Sequence, residues 1–142
     1  MQANGVVDRK LALLDRQIMR LQEALNGVSQ EQFAESWEKR TLSERALQVC
    51  VEIVIDVAER IIALRRAGPV ATAADAIERL VDLGVLSSTE PYQNMVRFRN
   101  LIVHQYEEVD PEILFDLATR RLDDFRAFRD EIDRADWEDA ST

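Results

Sequence analysis

Apolar residues recur every three or four positions along most of the chain, the spacing that places side chains on one face of an α-helix. The first such run comprises Leu11, Leu14, Ile18, Leu21 and Leu25. Glycine and proline, which interrupt helices, number only 4 and 3 among 142 residues. The pattern therefore predicts an all-α fold, an up-and-down bundle of five to six helices.

Helix-capping patterns divide the chain into segments. A stop at Asn26-Gly27, capping boxes at Ser29 and Thr41, and prolines near helix starts predict the boundaries. We expect helices over about 7–25, 29–39, 41–66, 72–83, 91–109 and 111–134. The third, with the widest apolar arc, is expected to be the central helix, and Cys50 on that arc to be a core residue. We expect one domain, 1–142, in which 135–142 form a frayed tail.

Charge and cysteine content restrict the possible functions. With 27 acidic against 18 basic residues, the net charge is −9, which disfavours binding of nucleic acid through overall attraction. A single cysteine cannot form an intramolecular disulfide. The early charges Asp8, Arg9 and Lys10 are unlike a signal peptide, and the apolar runs are shorter than the roughly 18 residues of a membrane span. We therefore expect a cytoplasmic protein without a membrane partner.

Rare and reactive residue types concentrate in one segment, Arg97 to Tyr106, which contains the single histidine. On a regular helix, Asn100 and His104 are four apart and share a face, whereas Arg99 and His104 are about 140° apart. Arg99 and His104 therefore meet at one ligand only if the helix loosens or if a second copy of the chain completes the site. Of these two, the dimer is our prediction.

This segment resembles the signature of the HEPN superfamily, in the form typical of its HepT-like branch. The resemblance lies in Arg99-Asn100, with four residues between Arg99 and His104, and in His104-Gln105-Tyr106. It extends to the central helix, with Glu52 and the run Ile55-Asp56-Val57-Ala58, and to the order of the later helices. It therefore covers most of the chain.

The resemblance implies a dimeric all-helical bundle that is a metal-independent endoribonuclease toxin, encoded beside a minimal nucleotidyltransferase antitoxin. In such pairs the antitoxin neutralises the toxin by transferring AMP onto the motif tyrosine. By resemblance, Arg99 and His104 are catalytic, Asn100 orients them, and Tyr106 accepts AMP. The expected partners are RNA, the antitoxin and a second copy of the chain, and no cofactor is implied.

The chemistry of these residue types fits the implied roles. Histidine can accept or donate a proton near neutral pH, and arginine offers a planar fork of donors to phosphate. We therefore expect attack by the RNA 2′-oxygen, which leaves a cyclic phosphate end. A phenol is an adequate nucleophile toward ATP presented by a partner, and AMP on Tyr106 would place a bulky anion near Arg99.

Other interpretations of the same residues stay open. A lone histidine near a helix end is usually a surface residue, and Arg97 and Arg99 could simply pair with Glu107 or Glu108. Glu52 and Asp56 are four apart, but with one histidine and one cysteine we predict no metal site; we expect the carboxylates to meet Arg45 or Arg60. Glu52 is also a candidate to orient the motif arginine, and Arg97 a candidate supporting residue. The alternative function is a non-catalytic subunit that binds a nucleotide or presents an acceptor tyrosine to a nucleotidyltransferase.

Overall fold

The computed structural model describes residues 5–104 and 109–135 and contains seven helices in these ranges. They are α1 (Gly5–Leu25), α2 (Gln30–Glu35), α3 (Trp37–Leu64), α4 (Ala73–Asp82), α5 (Tyr92–His104), α6 (Pro111–Thr119) and α7 (Leu122–Arg134). The described residues form no β-strand, so the predicted all-α class is confirmed. The predicted tail lies, apart from Ala135, outside the described residues.

Helix α3 is the centre of the fold, as predicted, because it packs against each of the other six helices. It buries residues on a wide arc, including Leu47, Cys50, Val54, Val57 and Ile61. The predicted α1 stripe, from Leu11 to Leu25, is buried against it. Burial raises the pKa of the Cys50 thiol to about 12, which is consistent with a core residue.

Two predicted boundaries are wrong. The break between α2 and α3 lies at Ser36, whose side chain accepts a hydrogen bond from the Lys39 backbone N–H, so Thr41 lies inside α3 and caps nothing. The predicted helix over 111–134 is two helices, because the backbone departs from helical geometry at Arg121. This second break raises the helix count from the expected five to six to seven.

Other predicted helix ends are confirmed. Ser29 and Gln32 form the expected capping box at α2. Thr72 accepts a hydrogen bond from the Asp75 backbone N–H at α4, and Asp110 caps α6 ahead of Pro111. Gly27 ends the turn after α1 with φ of 77°, a left-handed conformation that glycine adopts without steric cost.

No described helix is both long enough and apolar enough to pass through a lipid bilayer.

Candidate functional site

Helix α5 carries the predicted site, and its apolar residues fix which side faces the core. Tyr92, Met95, Val96 and Phe98 are buried, and α5 packs against α3 and α4. At its start, the Tyr92 hydroxyl donates a hydrogen bond to Glu131 Oε2 over 2.5 Å. Burial and this carboxylate raise the pKa of Tyr92 above its ordinary value, so the phenol is neutral. The contact ties the beginning of α5 to α7.

Arg99 lies on the core-facing side of α5, toward α3. Its side chain is only 21% exposed, and its Nη1 is 3.9 Å from Glu52 Oε2. Its Nε is buried without a hydrogen-bond partner among the described residues. The expectation that Glu52 faces the motif arginine is therefore met in position, and the distance is that of an ion pair rather than a hydrogen bond.

The outward side of α5 carries Arg97, Asn100, Leu101 and His104, which are all exposed. These residues are spaced i, i+3, i+4 and i+7, so they form one stripe along the helix. We call them the outer stripe. The predicted shared face of Asn100 and His104 is part of it.

Arg97 is held at the surface by two contacts near the start of α5. Its Nη2 donates to Glu90 Oε2 over 2.9 Å and to Asn94 Oδ1 over 3.2 Å. Glu90 Oε1 in turn accepts a hydrogen bond from the Asn94 backbone N–H. Glu90, which lies two residues before α5, was not identified from the sequence. The acids at 107 and 108, the expected partners, lie outside the described residues.

Arg99 and His104 point to different sides of one protomer. Helix α5 is regular through His104, so it does not loosen between the two residues. Tyr106, the expected AMP acceptor, lies outside the described residues. Within the described part of one chain, Arg99 is therefore brought to Glu52, and Asn100 and His104 are brought to the outer stripe.

Glu52 and Asp56 on α3 have separate partners. Glu52 faces Arg99, whereas Asp56 Oδ2 lies 3.4 Å from Lys10 Nζ of α1. The predicted ion pairs of Glu52 and Asp56 with Arg45 or Arg60 are therefore wrong. The reason is tertiary: α1 and α5 pack on α3 and bring their own cations to these carboxylates.

Solved structures share this architecture. The structure of the tri-AMPylated HEPN toxin of Shewanella oneidensis in complex with MNT antitoxin has a TM-score of 0.85 to this chain and is 27% identical. The match covers 93% of this chain and 99% of the toxin chain.

Sequence comparison leads to the same group of proteins. The chain is 28% identical over 131 residues to the mRNA nuclease HepT of Shewanella oneidensis, covering 91% of this chain and 97% of that protein. It is 26% identical over 112 residues to the tRNA nuclease HepT of Aphanizomenon flos-aquae, covering 78% and 76%. A family model described as ribonuclease HepT-like matches residues 14–132, and the chain belongs to this family.

Proposed function

We propose that this protein is an endoribonuclease toxin, metal-independent in its chemistry and neutralised by a minimal nucleotidyltransferase that transfers AMP onto Tyr106. The observation that carries the proposal is the position of Arg99, Asn100 and His104 on one helix, inside the segment that the HepT-like family model matches. The AMPylated state of the related Shewanella toxin supports the mode of neutralisation.

His104 moves protons in the proposed reaction. The RNA 2′-hydroxyl gives its proton to a base, and its oxygen attacks the adjacent phosphorus. The bond from phosphorus to the 5′-oxygen breaks, and that oxygen leaves with a proton from an acid. The His104 imidazole of one protomer serves as that base and, once protonated, as that acid, and the product carries a cyclic phosphate.

Arg99 stabilises the negative charge that develops on the phosphoryl oxygens. Its position beside Glu52, at 3.9 Å and without a hydrogen bond between them, leaves its N–H donors available to a phosphate. Asn100, next to Arg99 in sequence and on the His104 side of α5, orients the reacting groups.

A homodimer completes the site in this proposal. Arg99 and His104 diverge within one protomer, so a two-fold partner is needed to bring the Arg99 of one chain near the His104 of the other. Leu101 and Val103 beside His104 are 46% and 48% exposed, and Ile113 at the start of α6 is 54% exposed. These apolar side chains are suited to such an interface.

The decisive test is cleavage of bulk tRNA and of an mRNA transcript in EDTA, after intact mass has shown a protein free of AMP. We expect the parent to produce cyclic phosphate ends and His104→Ala to be at least about 100-fold slower, the usual loss for a general acid or base. Products ending in a 3′-hydroxyl would overturn the mechanism. If the folded parent is as inactive as His104→Ala but still binds the nucleotidyltransferase, the chain is instead a non-catalytic binding subunit.

A further inference from the structure

Arg97 lies on the outer stripe of α5 together with His104, whereas Arg99 does not. Arg97 and His104 are seven positions apart, so on a regular helix they differ by only about 20° in direction and about 10 Å along the axis. The basic residues of α5 are Arg97, Arg99 and His104. Of the two arginines, Arg97 is therefore the one that shares the accessible face with the histidine.

The side chain of Arg97 is accessible and weakly held. It is 63% exposed and its partner Glu90 is 56% exposed, compared with 21% for Arg99. An exposed ion pair contributes little to stability, typically about 0–1 kcal/mol, so another anion can replace the carboxylate. Both contacts of Arg97 described above are made by the same nitrogen, Nη2.

We propose that Arg97 binds an RNA phosphate that neighbours the reacting one, and that Glu90 competes with RNA for this guanidinium. The inference rests on the ribonuclease function proposed above and adds a binding residue to it. A chain of net charge −9 repels RNA as a whole, so local cations beside the site must supply the attraction. Arg97 supplies it on the face of His104.

Substitution of Glu90 distinguishes the binding of RNA by Arg97 from a purely structural role of the Arg97–Glu90 ion pair. If Arg97 and Glu90 only stabilise the start of α5, removing either charge weakens the same contact and both variants change in the same direction. If Arg97 binds phosphate, Arg97→Gln removes an attractive charge, whereas Glu90→Gln removes a competitor and a repulsive charge. The two variants then change RNA affinity in opposite directions.

The experiment measures the Kd of a labelled, mixed-sequence single-stranded RNA over a range of salt concentrations, in a His104→Ala background that prevents cleavage. We expect Arg97→Gln to raise Kd about five- to tenfold and to reduce the slope of log K against log salt by about 0.7, the value for one phosphate contact on a single strand. Glu90→Gln should lower Kd. Arg97→Lys, which keeps the charge without the planar fork, should restore part of the affinity and the whole slope.

Arg126→Gln is the matched control. Arg126 also forms an exposed ion pair, with Asp123 over 2.7 Å, but on α7, where it contacts Gln22 of α1. We expect its Kd and salt slope to equal those of the parent. In a protein that retains His104 and cleaves RNA, Arg97→Gln should raise KM for RNA and leave kcat nearly unchanged.

The outcomes separate this inference from the function on which it rests. If the parent cleaves RNA, His104→Ala does not, and Arg97→Gln binds RNA like Arg126→Gln, the ribonuclease assignment stands and the role of Arg97 is overturned. The same conclusion follows if Arg97→Gln and Glu90→Gln shift Kd in the same direction. If the folded parent neither binds nor cleaves RNA, both proposals fail.

Discussion

The two arginines of α5, Arg97 and Arg99, lie in different environments. Arg99 is mostly covered and faces Glu52 across the helix pair, whereas Arg97 is exposed beside Glu90. A covered guanidinium has few orientations, and a nearby carboxylate restricts them further. In the proposed ribonuclease, Glu52 holds Arg99 in position through this ion pair.

Replacing Glu52 by Gln should therefore slow cleavage by about three- to tenfold in kcat with little change in KM, because a misplaced Arg99 stabilises the transition state less well. Single-turnover and steady-state RNA cleavage would measure this. Asp56→Asn is the matched control, since Asp56 is one turn further along α3 and pairs with Lys10. An unchanged kcat in Glu52→Gln would contradict the positioning role.

The bond between Tyr92 and Glu131 predicts a loss of stability in Tyr92→Phe. Removing a hydrogen bond to a carboxylate should lower the free energy of unfolding by about 1–2 kcal/mol, as measured by urea denaturation at neutral pH. The raised pKa means that the folded state holds this proton more tightly than the unfolded state. The contribution is therefore present below pH 10 and is lost as the pH rises above it.

The phenylalanine variant should consequently lose less of its remaining stability than the parent between pH 9 and pH 11, an interval of about one unit on either side of the ordinary tyrosine pKa. If the parent and Tyr92→Phe lost the same free energy of unfolding over this pH interval, Tyr92 would not be the source of the alkaline loss of stability.

At the scale of elements, helix ends in this chain depend on side-chain caps and on packing, and the two act at different places. Ser29, Ser36, Thr72 and Asp110 each accept a backbone hydrogen bond at the start of a helix. The start of α7 at Leu122 follows a residue, Arg121, without a side-chain cap hydrogen bond. That break instead lets α6 pack against α2, while both α6 and α7 pack against α1 and α3.

Two threonines test the capping role. Thr72→Ala removes the cap of α4 and should lower the free energy of unfolding by about 1 kcal/mol. Thr41 is exposed and lies inside α3, so Thr41→Ala should leave stability unchanged or raise it slightly, since alanine favours helices more than threonine does. Chemical denaturation of both variants measures the difference. A larger loss for Thr41→Ala would mean that the break between α2 and α3 lies at Thr41, as expected from the sequence, and not at Ser36.

At the scale of the whole molecule, Arg99 and His104 point to different sides of one protomer. The central question is therefore whether one chain or two chains form an active site. A site within one chain requires both residues in the same polypeptide. A site shared across a two-fold axis takes Arg99 from one protomer and His104 from the other, and each dimer then has two such sites.

Mixing two inactive variants distinguishes these arrangements. If the site is shared, Arg99→Gln and His104→Ala, unfolded together and refolded at equal amounts, should recover about a quarter of the parental activity, because half of the dimers are mixed and each has one intact site. The measurement is RNA cleavage by the mixture and by each variant treated alone. Activity in the mixture no higher than in the separate variants would contradict a shared site.

The sequence by itself determined the helical class, the central position of α3, the burial of Cys50 and the caps at Ser29, Thr72 and Asp110. These features follow from local periodicity and from side chains within three residues of the backbone groups they bind. It also grouped Arg99, Asn100 and His104, because one helix carries all three.

Only the tertiary structure decided which long-range partners the charges meet. Asp56 pairs with Lys10 and Glu52 faces Arg99 because α1 and α5 pack on the same central helix, from 46 residues away in the case of Lys10. The break at Arg121 was equally hidden, since the apolar stripe continues through it with helical spacing and no glycine or proline marks it. The local pattern of apolar residues determines which side of a helix is buried. The packing of several helices determines how each helix is oriented and which charged residue it meets.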